Sequence, residues 1–495
     1  MKLITLLKDI NYDLICGEIN QEVDSIIYDS RVKTVNGLFI AIKGFTVDGH
    51  KYIKAAIENG AKTVVVEDQV TIEEEGITVI RVNNTRIVMA NLATNFYNHP
   101  SLKLDLIGIT GTNGKTSITF LLGQILEAYK QKIGIIGTIE NRIGTTILKS
   151  QHTTPESADL QKLLHTMCEE EVSHCLMEVS SHALELHRVD GCDFKIGIFT
   201  NLTQDHLDFH KTMDNYAKAK AKLFKLCQIG IINHDSPYAH IMKEDATCKV
   251  MTYGIDTPSD YRASDIHITA QGVTYMLTTP EEKYQVEVPI PGKFTVYNTL
   301  AVICAAKQLG LPMDHILHAL KNVKGVPGRV QSFISTKGYS VLVDYAHTPD
   351  GLENVLETIK QFAKGRIITV FGCGGDRDNT KRPIMGEVAA MYSDEVIITS
   401  DNPRSEDPLV ILDQVEVGVK RHVVDQVEVG VKRHVVDYVK MEDRKEAIIH
   451  ALSRANKDDV VLIAGKGHEN YQILKDRIIH FDDSEIVRDF IQGEQ

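Results

Sequence analysis

Thr110-Gly111-Thr112-Asn113-Gly114-Lys115-Thr116 follows the apolar run Leu104-Asp105-Leu106-Ile107-Gly108-Ile109. It precedes a helical pattern that starts near Ser117 and carries Leu121, Leu122, Ile125 and Leu126. A strand, a glycine-rich turn and a helix start make a phosphate site, because backbone N–H groups and the helix dipole both face the anion. Lys115 is placed to reach outer phosphates, and the Thr116 hydroxyl to ligate Mg²⁺. The stretch therefore predicts a nucleotide triphosphate as ligand. Its spacing is unusual, since Ile109 stands where an ordinary P-loop has its first glycine. The plain alternative is a tight glycine turn without a ligand.

Working outward, 495 residues exceed one core, and about three domains are expected. Apolar content of 43% and charged content of 24% are those of an ordinary soluble protein. A net charge of -13 argues against nucleic acid or an anionic membrane as partner. An anionic substrate must then be held by local positive sites. The 8 cysteines contain no C-x-x-C pair, which points to reduced buried thiols and not to a disulfide framework or a zinc site. The start, Met1 to Asp9, is too short and charged for a signal peptide, and no apolar run reaches membrane-spanning length. A cytoplasmic protein is expected.

The fold class predicted is α/β. Leu38–Ile42 and Thr63–Val66 read as strands and His50–Asn59 as a helix, with a breaker at Asn98-His99-Pro100-Ser101. Further strands are expected at Ile133–Ile136, Cys175–Val179 and Ile196–Phe199. After the Pro-Gly stretch Val326–Arg329 come Tyr339–Asp344, Ile367–Phe371, Glu395–Ile398 and Val460–Ile463. Helical segments between them imply doubly wound sheets. The predicted domains are 1–100, 101–332 and 333–495.

One segment is peculiar: the twelve residues Asp413–Val424 recur unchanged as Asp425–Val436. A single tandem copy is not a solenoid. Twelve residues rotate a helix face by about 120°, so both copies cannot bury one stripe. Val415, Val417 and Val419 alternate, which suits a strand. The expectation is a protruding or irregular segment.

Three stretches join the loop. Glu178, in Met177–His182, closes an apolar strand, where α/β folds place ligand groups. His206 lies in Asn201–His210, again just after a strand. Taken singly, each is more often a solvated or structural residue, and their place in the same domain as a nucleotide loop is what favours a ligand role. In Tyr216–Phe224 helical spacing puts Lys218, Lys222 and Lys225 on one side and Lys220 with Tyr216, Leu223, Phe224 and Cys227 on the other. A buried lysine tends to lose its proton. A neutral amine can serve as base or nucleophile, or react with CO₂ to a carbamate that ligates Mg²⁺. A lysine snorkelling at the edge of the stripe is the competing reading.

TGTNGKT, MEVSSHAL, NLTQDHLDFH, YxxAKxxLF, DYAHTP (Asp344–Pro349) and GKGHE (Gly465–Glu469) occur here in the order seen in the Mur ligases of peptidoglycan synthesis, which the chain resembles over essentially its whole length. The resemblance is strongest to the branch that adds diaminopimelate to a UDP-muramyl dipeptide. It implies a uridyl-binding domain, a central ATPase domain and a C-terminal Rossmann-like domain for the incoming amino acid. It assigns ATP phosphates to Thr110–Thr116, and Mg²⁺ to Thr116, Glu178, His206 and a carbamate, derived from CO₂, on Lys220. It makes Lys115, Lys220, Glu178 and His206 the catalytic set. It puts Asn298 and Arg329 near the nucleotide, with Asp344 and His347 contributing from the last domain. The UDP-muramyl peptide would meet Ser30, Phe45, Thr46, Val47, Thr153, Thr154, Ser181 and Arg188. Diaminopimelate would meet Arg377, Asp401, Asn402, Pro403, Arg404, Gly465 and Glu469. The implied reaction is ATP-dependent amide formation through an acyl phosphate, serving cell-wall biogenesis, cell shape and cell division, in a monomer that binds neither nucleic acid nor membrane.

Chemistry agrees with this branch. Diaminopimelate carries a distal amino-carboxylate, for which Arg404 and Arg377 offer planar donors and Glu469 an acid. A lysine-adding relative has no such carboxylate to bind and is the nearest rival. A folate polyglutamate ligase shares the central domain but not the uridyl-type N-terminal one. A nucleotide-gated binding protein is the rival of another class. Two departures stand out. Leu186 replaces a polar residue that some relatives use near the sugar, and the tandem repeat begins nine residues after Arg404. Gly372–Arg377 looks like a dinucleotide loop, but Arg377 occupies its last glycine position, so it reads as substrate-binding and not as an NAD site.

Overall fold

The computed structural model describes the chain except residues 45, 46, 151, 327, 429–435 and 495, and the side chains of 208 and 423–428. It divides into two compact units, 1–260 with 301–309 and 261–300 with 310–495.

The first unit holds two sheets. In the N-terminal one the order is Asp13–Cys16, Thr78–Arg81, Ala61–Val66, Gly37–Ile40, Ser25–Ile27. The last four strands run parallel and the first is antiparallel to them. Its alternating residues fill two cores. Leu38, Ile40, Val65 and Ile80 pack with Val88, Met89 and Leu92 of the helix Thr85–Phe96. Phe39, Val64, Val66 and Val79 pack with Ile53 and Ala56.

The second sheet of this unit places parallel strands in the order Lys249–Gly254, Cys227–Asn233, Phe194–Phe199, Asp105–Thr110, His174–Glu178, Ile133–Ile136. A short antiparallel pair, Asn141–Ile143 and Thr146–Leu148, follows. Asp105–Thr110 is the strand from which the chain winds first to one side and then to the other. Crevices at the carboxyl ends of such strands are where α/β sheets take ligands. The register sets Glu178 beside Ile109, and Phe199 beside Thr110, at those ends.

The second unit has an antiparallel meander, Tyr261–Thr269, Gly272–Thr278 and Lys283–Val288. Its main sheet runs Gln331–Ile334, Ser340–Asp344, Val460–Ala464, Ile367–Phe371, Glu395–Thr399, Asp437–Met441, parallel after the first strand. Both faces are covered, as a parallel sheet requires. Leu342, Phe371, Val396 and Leu462 meet Leu352, Met385 and Val415 on one side. Val341, Val370, Ile397 and Val461 meet Ala447, Ile448 and Val487 on the other. Among the described residues no helix is long and apolar enough to cross a membrane.

The strand period suggested by Val415, Val417 and Val419 is not the one they adopt, and the first copy is not the irregular segment expected. The first copy lies wholly within a regular helix, Pro408–Glu428, which also takes in the start of the second copy. Residues 429–435 of the second copy lie outside the described residues. Ile411, Leu412, Val415 and Val419 are buried at helical spacing and Val417 is exposed, so the valine alternation was misleading about period. Glycines decide the packing. A Cβ on Gly418 would lie 1.7 Å from the Pro383 carbonyl oxygen, and one on Gly386 2.1 Å from that of Val415. Two helix backbones thus touch, which only glycine permits.

Alanine favours an exposed helix over glycine by about 1 kcal/mol, whereas overpacking costs about 1–3 kcal/mol. Gly418→Ala is therefore expected to lower the thermal unfolding midpoint. An unchanged or raised midpoint in calorimetry would mean that the helices do not approach this closely.

Candidate functional site

The strand Asp105–Thr110 runs into Gly111–Gly114 and the helix Lys115–Ala128. Ile109, at the position of the missing glycine, is fully buried in the strand, so the tight turn begins only at Gly111. Gly111 has φ +146°, and a Cβ there would fall 1.8 Å from Thr200 Oγ1. Gly114 has φ +89° and starts the helix. The neighbouring strand straps the loop down. Thr112 N donates to Asn201 O at 2.9 Å, Asn113 N to Asn201 Oδ1 at 3.0 Å, and Thr200 Oγ1 to Asn113 O at 2.6 Å. Lys115 folds back, with Nζ 2.9 Å from Gly111 O and 2.8 Å from Thr112 O. Its ammonium thus lies inside the curve of the loop. Thr200 precedes the NLTQDHLDFH stretch and Asn201 opens it, but their strapping role depends on a contact with a loop about ninety residues earlier and is not visible in the sequence.

Glu178 ends its strand fully buried. Its carboxylate accepts the Thr116 hydroxyl at 3.1 and 3.0 Å. It also accepts Thr138 N and the Thr138 hydroxyl, each at 3.0 Å. Thr138, forty residues away in sequence, is a partner that no motif announced. Its hydroxyl lies 3.1 Å from that of Thr153. Thr154 Oγ1 donates to Glu178 O at 2.8 Å and accepts Ser180 N at 3.1 Å. Arg188 donates to Thr154 O at 3.0 Å and pairs with Glu156 at 2.8 Å. The structure therefore joins Thr116, Glu178, Thr153, Thr154 and Arg188 in one polar chain leading away from the loop. Ser180, which caps the helix Ser181–Glu185, belongs to it too.

Lys220 approaches from the opposite side. The helix Met213–Ala221 turns Tyr216 and Lys220 inward and leaves Lys218 exposed. Lys220 is 1% exposed, which excludes a snorkelling side chain. Its Nζ donates to Gly111 O at 2.9 Å and lies 4.6 Å over the Tyr216 ring. Burial, with the Lys115 charge second, holds its pKa well below that of an ordinary lysine. Tyr216 in turn places its hydroxyl 3.3 Å from Thr112 Oγ1. His206, at φ 52°, stands edge-on to Tyr216 with ring centres 6.2 Å apart and is half-exposed. His210 stacks on Tyr216 at 5.0 Å and bonds Ser181 Oγ at 2.9 Å. Burial pushes its pKa down to about 4. Leu186 lines an adjoining cavity of about 850 Å³ with Glu185, Phe209, His210, Lys218 and Lys222.

In the N-terminal sheet region Ser30 is buried, and its carbonyl accepts Asn59 Nδ2 at 2.8 Å. Val47 is exposed, and Phe45 and Thr46 lie outside the described residues. Among the described residues one close trio of metal-type ligands occurs, Asp48, His50 and Asp68. It is already satisfied internally. His50 Nδ1 lies 2.7 Å from Asp48, His50 Nε2 accepts Glu67 N at 3.1 Å, and Asp68 pairs with Lys43 at 2.7 Å.

The second unit carries its own cluster, at the carboxyl ends of adjacent strands. Asp344 is buried, and its carboxylate accepts Val330 N and Ala346 N, each at 2.8 Å. Burial raises its pKa against the opposing pull of Arg329. Arg329 lies 5.2 Å over the Tyr345 ring, and His347 Nδ1 is 2.8 Å from Tyr345 O. Asn298 is buried in the helix Lys293–Gln308. Across the same sheet end, beyond Val460–Ala464 and Ile367–Phe371, Asp401-Asn402-Pro403-Arg404 follows the strand Glu395–Thr399. Asn402 donates to Glu469 at 2.8 Å. Lys466, fully buried and absent from the sequence reading, donates to Glu469 at 3.2 Å. Gly465, at φ +115°, lets the chain pass within 2.8 Å of Asp401 Oδ2, measured from where its Cβ would stand. Arg404 donates to Gly375 O at 2.7 Å, and Arg377 is exposed on the loop that follows. A carboxylate pair and two guanidinium groups thus converge on one rim, suited to a ligand carrying both ammonium and carboxylate.

Gly111→Ala forces a strained φ and a clash, together costing about 1–3 kcal/mol. Nucleotide affinity is expected to fall roughly tenfold with an unchanged far-UV circular dichroism spectrum. Unaltered affinity in a nucleotide titration would show that the loop geometry is not what binds.

The chain was compared with known proteins. Residues 22–97 match the description "Mur ligase family, catalytic domain", residues 109–306 "Mur ligase middle domain", and residues 328–467 "Mur ligase, glutamate ligase domain". The chain is 48% identical over 492 residues to the UDP-N-acetylmuramoyl-L-alanyl-D-glutamate--2,6-diaminopimelate ligase of Caldanaerobacter subterraneus subsp. tengcongensis, covering 99% of each. It is 50% identical over 500 residues to the protein of that name from Clostridioides difficile, again covering 99% of each. Of the solved structures, a UDP-N-acetylmuramoyl-L-alanyl-D-glutamate--2,6-diaminopimelate ligase superposes with a TM-score of 0.75 at 32% identity, over 100% of this chain and 99% of that one. MurF from Acinetobacter baumannii shares the fold, with a TM-score of 0.63 at 17% identity over 99% and 98% of the two chains. With three domain descriptions matched in order and near-half identity over its full length, the chain belongs to the Mur ligase family.

Proposed function

We propose that this protein is an ATP-dependent amide ligase that adds meso-diaminopimelate to UDP-N-acetylmuramoyl-L-alanyl-D-glutamate in peptidoglycan synthesis. The observation that carries the choice of amino acid is the rim of the second unit, where Arg404 and Arg377 stand with Asp401 and Glu469. A distal amino-carboxylate needs both signs of charge, and lysine needs only one. We place the domains at 1–100, 101–332 and 333–495 and the protein in the cytoplasm.

In this reading the glutamyl side-chain carboxylate attacks the γ-phosphorus of ATP, the bond to ADP breaks, and an acyl phosphate results. The amine of diaminopimelate then forms the C–N bond while phosphate leaves. Lys115, inside the loop, balances charge growing on the transferred group. The oxygens of Thr116 and Glu178 lie within hydrogen-bonding distance of each other, and a hydroxyl and a carboxylate are hard donors of the type Mg²⁺ prefers. They would hold it, with His206 assigned as a further ligand from the resemblance, and the ion supplies charge neutralisation and orientation of phosphate oxygens. Lys220, whose charged form burial disfavours, is suited to react with CO₂: an N–C bond forms, a proton leaves, and an anionic oxygen ligand replaces a poor one. Ser30, Val47, Thr153, Thr154, Ser181 and Arg188 bind the UDP-muramyl peptide, with Phe45 and Thr46 assigned from sequence. Asn298, Arg329, Asp344 and His347 serve the nucleotide.

Phosphate release in the presence of ATP and UDP-muramyl dipeptide is expected to depend on diaminopimelate and to be weak with lysine. Equal or greater release with lysine would reassign the protein to the lysine-adding branch. Release that never needs the muramyl peptide would favour a nucleotide-gated binder. Lys220→Ala is expected to lose at least about 100-fold in kcat, without rescue by bicarbonate. Wild-type rates in that variant would remove Lys220 from the mechanism.

A further inference from the structure

The helix Lys381–Tyr392 carries an arginine that no substrate reaches. Arg382 is fully buried, and a buried charge persists only where it is paired and hydrogen-bonded. Its Nη1 donates to Glu406 Oε2 at 2.8 Å and to Gln414 Oε1 at 2.6 Å. Its Nη2 donates to Glu406 Oε1 at 2.8 Å and to Gly374 O at 3.2 Å. This is a fork-on-carboxylate pair with two further acceptors.

What the arginine grips is the amino-acid rim. Glu406 also accepts Asp376 N at 2.5 Å. The Asp376 carboxylate accepts Ser405 N at 3.2 Å and Ser405 Oγ at 2.6 Å. Arg404 closes on Gly375 O at 2.7 Å. Two loops, one bearing Arg377 and the other Arg404, are therefore stitched edge to edge, and Arg382 touches both. The two loops follow neighbouring strands of the sheet, Ile367–Phe371 and Glu395–Thr399. Gln414, the remaining acceptor, belongs to the first copy of the tandem repeat; its counterpart in the second copy is Gln426. The same first copy brings Val415 and Val419 into the core and Gly418 against Pro383.

We propose that Arg382, held by Glu406 and by Gln414 of the first repeat copy, is a positioning residue that sets the two arginine loops for the distal carboxylate of the amino-acid substrate. The inference rests on the diaminopimelate reading. Since the copies are identical, removing either yields one and the same sequence.

The test measures KM for diaminopimelate, ATP and UDP-muramyl dipeptide, and the rate ratio of diaminopimelate to lysine, in the full-length protein. The variants are Arg382→Lys, Arg382→Met, Gln414→Leu, Gln426→Leu and the twelve-residue deletion. Gln414→Leu is expected to raise the diaminopimelate KM about tenfold and to lower the thermal midpoint, leaving the other two KM values unchanged. Gln426→Leu and the deletion are expected to match wild type. Arg382→Met is expected to lose discrimination against lysine, and Arg382→Lys to recover part of it. The proposal falls if Gln414→Leu and Gln426→Leu behave alike, or if Gln414→Leu and Arg382→Lys raise all three KM values in parallel, as a merely structural role would. If the wild type itself prefers lysine, the substrate reading fails separately. The clamp is then judged by lysine's KM, which Gln414→Leu should leave unchanged because lysine has no distal carboxylate; a rise overturns it.

Discussion

The Glu178 carboxylate is the constraint around which the first unit is arranged. It is buried at the end of a parallel strand, and its hydrogen bonds come from two hydroxyls and a backbone N–H, none of them charged. A carboxylate kept out of water without a cation is costly, and such groups collect where chemistry is done. On the far side of the phosphate loop an amine is buried on the Gly111 carbonyl. The loop is thus held between a buried acid, reached through Thr116, and a buried base, reached through Gly111. Neither group contributes to stability in the manner of an apolar residue of similar size. Glu178 presets charge beside the loop, and Lys220 offers an amine whose charged form burial disfavours.

The same topological device appears twice. In each doubly wound sheet the carboxyl ends of adjacent parallel strands deliver the polar groups: Thr110, Glu178 and Thr200 in one, Asp344, Gly372, Asp401 and Gly465 in the other. Register fixes these positions, because a slip of one residue would turn each polar end residue to the opposite face. Glycines then let the backbones pass closely, as at Gly111 and Gly465.

Much of this is written locally. The strand–glycine–helix order around Lys115 is contiguous in sequence, and the burial of Lys220 follows from its place on the apolar stripe of one helix. The hydrophobic runs that became strands are short and bounded by turn residues, so their type was plain. What local reading misses are partners supplied by register. Thr138 meets Glu178, Asn201 meets Asn113, and Arg382 meets Glu406 only once strands far apart in sequence are laid side by side. Lys466 belongs to the same class, since it donates to Asn402, sixty-four residues earlier, at 3.3 Å.

The repeat shows why a short pattern misleads. Three valines at alternate positions match a strand, but the stripe that decides is longer, running from Ile411 through Val415 to Val419. Helical period emerges only when Ile411 and Leu412, outside the repeat, are counted with it. Those upstream residues also set the phase of the packing. The helix begins at Pro408, so Val415 and Val419 of the first copy continue the buried stripe that Ile411 and Leu412 open.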